Sequence, residues 1–231
     1  MLYDNTIGDP RNLIFLVGGE HVVLTPDVDP RPMRLPEYAL QALAQPGFVY
    51  ITLNRARRLR SAELSSHEVL ATLRTAGRRI VFDLDVDGFD QSDAELIDGA
   101  HIVMMNDRGF TKTFGDNATK QNVRTWLSTH RVDVLLHSRA AAGATAYTGA
   151  RTIHAHGYDV PVRDVTGAGD TLGGAIVFAL SAGWPLPESV DFAIAAASRS
   201  VMHLGPNGGV ATIDEVQEFA AAFAPASRET V

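Results

Sequence analysis

The sequence VRDVTGAGDTLGG, residues 162–174, places small residues and a carboxylate directly before the apolar run AIVFAL. The first turn of a helix leaves backbone N–H groups without intrahelical partners and carries the positive end of the helix dipole. Gly167 and Gly169 lack the side chains that would block an approaching phosphate. We therefore predict that the amides of Ala168, Gly169 and Asp170 bind an oxyanion.

The carboxylate of Asp170 has two interpretations. An acidic residue in the first turn of a helix often interacts only with the helix N-terminus. That interpretation does not explain the three small residues in a row before it, whereas an anion site does. The sequence therefore favours Asp170 as a functional group beside a bound anion.

Other binding motifs fit the sequence poorly. Asp83, Asp85, Asp87 and Gly88 match positions one, three, five and six of a calcium loop, but Ala94 stands where that loop needs a bidentate acid. The GAGDTLGG sequence lacks the third glycine of the dinucleotide fingerprint at its required spacing. The chain contains no Gly-Lys pair, which excludes a Walker P-loop.

The composition is that of a globular and mildly acidic protein. The 231 residues are 45% hydrophobic and 20% charged, and the formal net charge is -7. This charge disfavours nucleic acid as the main partner, because phosphate backbones bind basic surfaces. Cysteine is absent, which excludes disulfides and thiolate zinc sites and agrees with a reducing compartment. No signal peptide or membrane-spanning apolar run is evident, so we expect a cytoplasmic protein without membrane partners.

Strand and helix patterns alternate along most of the chain. β-rich runs around Gly18-Gly19 predict a hairpin over 13–24, and a Pro-rich loop follows over 25–36. Strands are predicted at 48–53, 78–86, 100–106 and 132–138, with short edge strands within 151–165. Helices are predicted at 65–77, from 92, at 117–130, at 170–182, at 188–203 and after Thr212, with capping pairs Ser65/Glu68, Ser92/Glu95 and Thr212/Glu215. This alternation predicts an α/β fold with a mostly parallel sheet and helices on both faces.

Polar side chains follow the predicted strands at their carboxyl ends. They are Asp83, Asp85, Asn106, Asp107, His137 and Ser138. Ligands bind beyond this edge in open parallel sheets. Strand ends also meet water for purely structural reasons, so position alone leaves both interpretations open.

The segment DVTGAGDTLGGAIVFAL, residues 164–180, resembles the C-terminal signature of the ribokinase or PfkB family of ATP-dependent sugar and nucleoside kinases. RRIVFDLDV is similar to the family strand that ends in an aspartate, and AHIVMMND to the strand that ends in the Asn of Asn-x-x-Glu. VLLHSRAAAGATAY is similar to the Thr-x-Gly-x-x-Gly segment, and SVMHLGPNGGVATI to the tail around the adenine. The resemblance implies one ribokinase-like (Rossmann-like) domain over 1–231, with a partial β lid at 11–25.

This resemblance implies ATP-dependent phosphorylation of a primary hydroxyl of a small sugar or sugar derivative, with Mg²⁺ and K⁺. Asp170 would be the general base, and Gly167, Ala168 and Gly169 would form the anion hole. The implied nucleotide-binding residues are Asn106, which would also lie near Mg²⁺, Ser138, Arg139, Gly143 and Gly208. Asp164 and Thr166 match the positions that hold a monovalent cation. Relatives often pair through the lid, so we expect a homodimer.

Three features depart from the family pattern. Gly109 stands where the Asn-x-x-Glu motif has a glutamate that helps organise Mg²⁺, and Asp107 or Asp83 are candidates to replace it. Ser138 and Ala140 replace the threonine and the middle glycine of the Thr-x-Gly segment. The sequence contains no counterpart of the family's first strands, which carry the Gly-Gly-x-x-Asn stretch and an aspartate that bind the sugar. The alternatives are therefore a non-catalytic relative that binds nucleotide or pairs with another subunit, and a module for another phosphorylated ligand.

Overall fold

A six-stranded sheet lies at the centre of the residues that the computed structural model describes, which are 13–17, 20–24, 32–85, 88–116 and 118–223. The strands are β1 (Leu13–Val17), β2 (Glu20–Leu24), β3 (Met33–Arg34), β4 (Gly47–Thr52), β5 (Leu59–Arg60), β6 (Arg78–Asp83), β7 (Ile102–Asn106), β8 (Val134–Ser138), β9 (Ala144–Thr148) and β10 (Thr152–Ala155). The order in the central sheet is β10-β9-β8-β7-β6-β4. Strands β4, β6, β7 and β8 are parallel, whereas β9 and β10 add antiparallel pairs at one side. The prediction of a mostly parallel sheet is confirmed.

The helices are α1 (Glu37–Leu43), α2 (Leu53–Arg58), α3 (Ser66–Thr75), α4 (Ala94–Ile97), α5 (Asp107–Phe114), α6 (Lys120–Thr129), α7 (Ala168–Ser181), α8 (Leu186–Ser200) and α9 (Ile213–Ala222). The predicted capping boxes of α3 and α9 are confirmed. Glu68 accepts the Ser65 N–H at 2.8 Å, and Glu215 accepts the Thr212 N–H at 2.7 Å. None of the helices in the described ranges is long and apolar enough to cross a membrane.

Alternating side chains along the strands supply two cores on opposite faces of the sheet. Phe82 and Leu135 are fully buried on one face, where they pack with α3, α4, α5 and α6. Val81 and Leu136 are equally buried on the other face, where they pack with α7 and α8. Successive residues of a strand point to opposite faces of the sheet, so one apolar strand contributes side chains to both hydrophobic cores. The predicted helices on both faces are therefore confirmed.

Several element boundaries differ from the sequence predictions. The helix near residue 92 is preceded by a 3-10 turn, and Asp90 rather than Ser92 provides the cap by accepting the Ser92 N–H at 2.9 Å. Strand β6 ends at Asp83, because the chain turns there towards α5. Only 152–155 of the predicted edge-strand segment is a strand.

Six elements were missed by the sequence analysis. They are α1, α2, α5, β3, β5 and β9. Helix α2 and helix α5 begin at the residue directly after a strand, so no loop sequence separates the two patterns. The predicted hairpin over 13–24 is confirmed as the antiparallel pair β1–β2. The predicted loop over 25–36 contains the short strand β3, while its first residues lie outside the described part.

Candidate functional site

The Gly-rich turn, residues 166–170, ends a loop and starts α7. Gly167 is the N-cap residue and has a left-handed φ of 82°, which favours glycine. A Cβ at this position would lie 3.0 Å from the Cα of Pro206, so this close contact also favours glycine. A Cβ at Gly169, by contrast, would have no atom within 4 Å. The space in front of Gly169 is therefore open to a ligand.

The amides of the Gly-rich turn are not equivalent. The Ala168 N–H donates to the carbonyl of Val165 at 3.2 Å, so this predicted anion-binding amide already has an acceptor within the turn. Within the described part of the chain, the N–H groups of Gly169 and Asp170 have no acceptor. Two amides at the positive end of the α7 dipole are thus available to an oxyanion.

Asp170 is exposed beside these amides. Its carboxylate accepts no hydrogen bond from the described residues, so it is not fixed as a cap of its own helix. Loss of water around the carboxylate raises the pKa of Asp170, and the negative charge of Asp83 raises it further. A carboxylate that has a raised pKa and no hydrogen-bond donor among the described residues is suited to accept a proton from a ligand.

Tyr50 joins the first turns of α7 to the carboxyl end of β6. Its hydroxyl donates to Asp83 Oδ2 at 2.6 Å. A Cβ at Gly173, one turn after Asp170, would lie 2.8 Å from the Tyr50 hydroxyl oxygen. The glycine therefore lets α7 approach the ring closely. Burial and the nearby charge of Asp83 raise the pKa of Tyr50, which keeps its hydroxyl protonated as a donor.

Sequence analysis did not identify Tyr50 as part of the site. The residue lies in an apolar strand, GFVYIT, where a tyrosine is ordinary. A glycine inside an apolar helix often marks the close approach of another group. Gly173 was therefore the one sequence feature that could have indicated a neighbour such as Tyr50. Only the fold brings the two together.

A second group of contacts lies where β6 and β7 end. The Asn106 side-chain amide donates to Asp85 Oδ1 at 2.9 Å, and its oxygen accepts the Gly109 N–H at 2.9 Å, which caps α5. A Cβ on Gly109 would overlap the carbonyl oxygen of Asp85. The glycine at the glutamate position of Asn-x-x-Glu is therefore required by the packing of the Asp85 backbone on the first turn of α5.

The loop that carries Asp85 is held on α5 at its other end as well. A Cβ on Gly88, whose φ is 62°, would lie 2.8 Å from the Thr113 hydroxyl oxygen. The same hydroxyl accepts the Phe89 N–H at 2.8 Å and donates to the Gly109 carbonyl at 2.8 Å. These contacts fix the loop on either side of residues 86–87, which lie outside the described part.

The residues predicted to bind nucleotide lie at neighbouring strand ends. Asn106 and Ser138 are register partners of β7 and β8. The turn after Ser138 is closed by the Arg139 N–H, which donates to the Gly143 carbonyl at 2.7 Å. Gly143 has φ 90°, and a Cβ there would overlap the Ala155 carbonyl oxygen, so its conformation serves the turn. The fold brings Asn106, Ser138 and Arg139 to one edge of the sheet.

Asp164 connects the Gly-rich turn to the C-terminal tail. Its Oδ1 accepts the Thr166 N–H at 2.9 Å and its Oδ2 accepts the Gly205 N–H at 2.9 Å. Gly208 lies in the turn that follows, where its N–H donates to the Gly205 carbonyl at 3.2 Å. The Asp164 carboxylate thus holds the start of α7 against residues 205–208.

Asp107 pairs with a buried histidine. His137 Nε2 lies 2.7 Å from Asp107 Oδ1, and the imidazole stacks on Phe110 with ring centroids 4.0 Å apart. Burial lowers the pKa of His137, although the Asp107 carboxylate partly opposes this shift. The contact directs the Asp107 carboxylate towards His137 on β8.

Comparison with known proteins gives one consistent group of matches. A profile described as "pfkB family carbohydrate kinase" matches residues 17–213. The ribokinase of Lactococcus lactis is 27% identical over 127 residues, which are 55% of this chain and 41% of that protein. The bifunctional protein HldE of Nitrobacter winogradskyi is 29% identical over 143 residues, 59% of this chain and 28% of that protein. The matched part is thus less than half the length of these relatives.

The fold also matches a solved kinase structure. The Arabidopsis thaliana ribokinase complexed with ribose and ATP superposes with a TM-score of 0.74 at 20% sequence identity. The match covers 93% of this chain and 70% of that one. The predicted ribokinase-like fold is confirmed.

We expect the two glycine-to-alanine changes Gly109→Ala and Gly174→Ala to have opposite effects on stability. Gly174 lies in α7 with no atom within 4 Å of a Cβ, so alanine there stabilises by about 0.5–1 kcal/mol. Alanine at Gly109 displaces the Asp85 loop and destabilises by about 1–3 kcal/mol, and Gly109→Glu does the same. Denaturant unfolding measures both. A Gly109→Ala protein as stable as Gly174→Ala would contradict the close packing.

Proposed function

Since the chain belongs to the pfkB family of carbohydrate kinases, we propose that it transfers the terminal phosphoryl group of ATP to a primary hydroxyl of a small sugar or sugar derivative. The observation that carries this proposal is the exposed Asp170 next to the available amides of the Gly-rich turn. A base beside an oxyanion site meets the requirements of phosphoryl transfer to an alcohol. The ATP complex of the Arabidopsis ribokinase, which shares the fold, supports ATP as the donor.

Asp170 is the general base in this proposal. It accepts the proton of the sugar hydroxyl as that oxygen bonds to the terminal phosphorus, while the bond from phosphorus to the ADP oxygen breaks. General bases work best when their pKa approaches the working pH, and the raised pKa of Asp170 supports the role.

The amides of Gly169 and Asp170 stabilise the charge on the transferred group. They belong to the backbone at a helix start, so they need no reorganisation when the charge develops. Gly167 contributes its left-handed conformation, and Ala168 contributes a small side chain rather than its amide. The turn thus acts as a preorganised anion hole of two amides.

The nucleotide is proposed to extend along the ends of β7 and β8. Mg²⁺, which is implied by the family, would neutralise charge on the phosphate oxygens. Oxygen donors of the kind that Mg²⁺ prefers are present beside Asn106, whose own oxygen caps α5. Ser138 and Arg139 are proposed to contact the phosphates, and Gly143 and Gly208 to shape the turns around the nucleotide.

Asp164 and Thr166 are proposed to hold a K⁺ ion. Each carboxylate oxygen of Asp164 accepts a backbone N–H, which fixes the carboxylate in the position from which it would coordinate the ion. A cation there would lie directly before the Gly-rich turn. The β1–β2 hairpin is proposed as the lid through which two copies pair.

A nucleotide-binding relative without turnover is the second candidate. Gly109 in place of the motif glutamate favours it. An ADP-release assay over a panel of sugars, run with calorimetry of ATP binding, separates the two. ATP binding without turnover on any sugar would favour this candidate.

Replacing Asp170 by Asn should lower kcat by about 10²–10⁴-fold and leave ATP affinity unchanged. The variant should unfold at a higher temperature than wild type near neutral pH, because a raised pKa means that the folded state disfavours the ionised carboxylate. This difference should vanish at acid pH, where Asp170 is protonated in both states.

The matched control is Asp133→Asn. Asp133 is 69% exposed at the start of β8, on the opposite edge of the sheet, and pairs with His101. We expect wild-type kcat for it. An Asp170→Asn enzyme that retains a large fraction of the wild-type rate would exclude the general-base role.

Asp83→Asn should change the pH dependence of kcat/KM. Activity falls at acid pH as Asp170 becomes protonated, and the charge of Asp83 raises the pKa of Asp170. Asparagine removes that charge but can still accept the Tyr50 hydroxyl, so the acid limb should move to lower pH. A pH profile of kcat/KM for both proteins measures the shift. A limb that stays in place, or moves to higher pH, would contradict the coupling of the two carboxylates.

A further inference from the structure

We propose that Asp85 supplies the carboxylate that the missing glutamate of Asn-x-x-Glu provides in the family, and that it helps to hold the Mg²⁺ carried by ATP. This assignment rests on the proposed kinase function. It differs from the two replacements that the sequence suggested, Asp107 and Asp83.

The first support is the position of the Asp85 backbone. Its carbonyl oxygen occupies the space into which a side chain at residue 109 would begin. The Asp85 carboxylate belongs to the same residue as this oxygen and contacts the side chain of Asn106, which caps the first turn of α5.

The second support is the contact with Asn106. The Asn106 amide donates to Asp85 Oδ1 at 2.9 Å while its oxygen caps α5 through Gly109. The two motif positions, Asn106 and residue 109, therefore both contact Asp85. The side chain is exposed, so a ligand beyond the strand ends can approach it.

The other carboxylates at this edge are oriented by different partners. Asp83 accepts the Tyr50 hydroxyl on Oδ2 and the Asp85 N–H on Oδ1 at 2.9 Å. Asp107 points to His137. Of these three carboxylates, Asp85 is the one that accepts a hydrogen bond from the motif asparagine.

The site does not resemble a metal cage. In the described ranges, no group of three or more acidic or histidine side chains could by itself hold a metal ion. A nucleotide-bound Mg²⁺ needs no such group, because it takes one or two carboxylates together with phosphate oxygens and water. A single positioned carboxylate beside Asn106 is sufficient for that mode of binding.

The loop conformation makes the test practical. Asp85 has φ 46°, in the left-handed region that aspartate and asparagine tolerate better than most residues. Asp85→Asn is therefore compatible with the fold and removes only the charge. Asp107→Asn tests the neighbouring carboxylate, and Asp133→Asn on the opposite edge is the control.

The experiment is calorimetric titration of ATP into each protein, once with Mg²⁺ and once with EDTA. Wild type should bind ATP more tightly with Mg²⁺. Asp85→Asn should lose about 10–100-fold of affinity with Mg²⁺. In EDTA it should bind as well as wild type or better, because one negative charge near the phosphates is gone. Asp107→Asn and Asp133→Asn should keep the Mg²⁺ effect.

The outcomes separate the two proposals. Suppose that wild type binds ATP more tightly with Mg²⁺. If Asp85→Asn retains this gain in affinity, or if Asp107→Asn loses the gain instead, the assignment of Asp85 is overturned. The kinase proposal stands in either case. If wild type binds no ATP in either buffer, the kinase proposal fails, and the role of Asp85 with it.

Discussion

The close approach of Tyr50 to Gly173 is the contact on which the arrangement of the site depends. It places the first turns of α7 directly above the ends of β4 and β6, because the ring packs where a side chain on α7 would otherwise stand. The Tyr50 hydroxyl then binds Asp83, so the helix that carries Asp170 and the strand that carries Asp83 are joined through one side chain. The raised pKa of Asp170 is a consequence of this proximity and of the desolvation around it.

The Gly-rich turn and the Asp85 loop are both held in place by a close backbone contact at a glycine. In each, a glycine lets the backbone approach another element closely. A Cβ on Gly167 would lie 3.0 Å from Pro206, and a Cβ on Gly109 would overlap the Asp85 carbonyl oxygen. Rigid backbone contacts of this kind hold polar groups at a sheet edge without burying them. The result is a set of exposed carboxylates and amides on a fixed support, which is the arrangement that positioning of a phosphorylated ligand requires.

Two helices that begin directly after a strand, α5 and α2, were missed by the sequence analysis. Helix α5 begins at Asp107, immediately after β7, so a strand pattern passes into a short helix with no turn residues to mark the change. The cap that starts it comes from Asn106, a residue with a clear sequence motif but an unexpected partner. Helix α2 was missed for the same reason, because it follows β4 directly.

The sequence by itself determined the layered α/β order, the capping boxes at Ser65 and Thr212, and the Gly-rich turn with Asp170, because each of these depends on residues close together in the chain. The tertiary structure alone decided that Tyr50 meets Asp83 and Gly173, that the Ala168 amide is already bonded, and that Asp85 lies against Gly109. These contacts join residues on different elements, and local patterns carry no information about which atoms will meet once the strands and helices pack. The geometry of the site therefore depends on how the elements pack, whereas the chemical groups that form the site can be identified from the sequence.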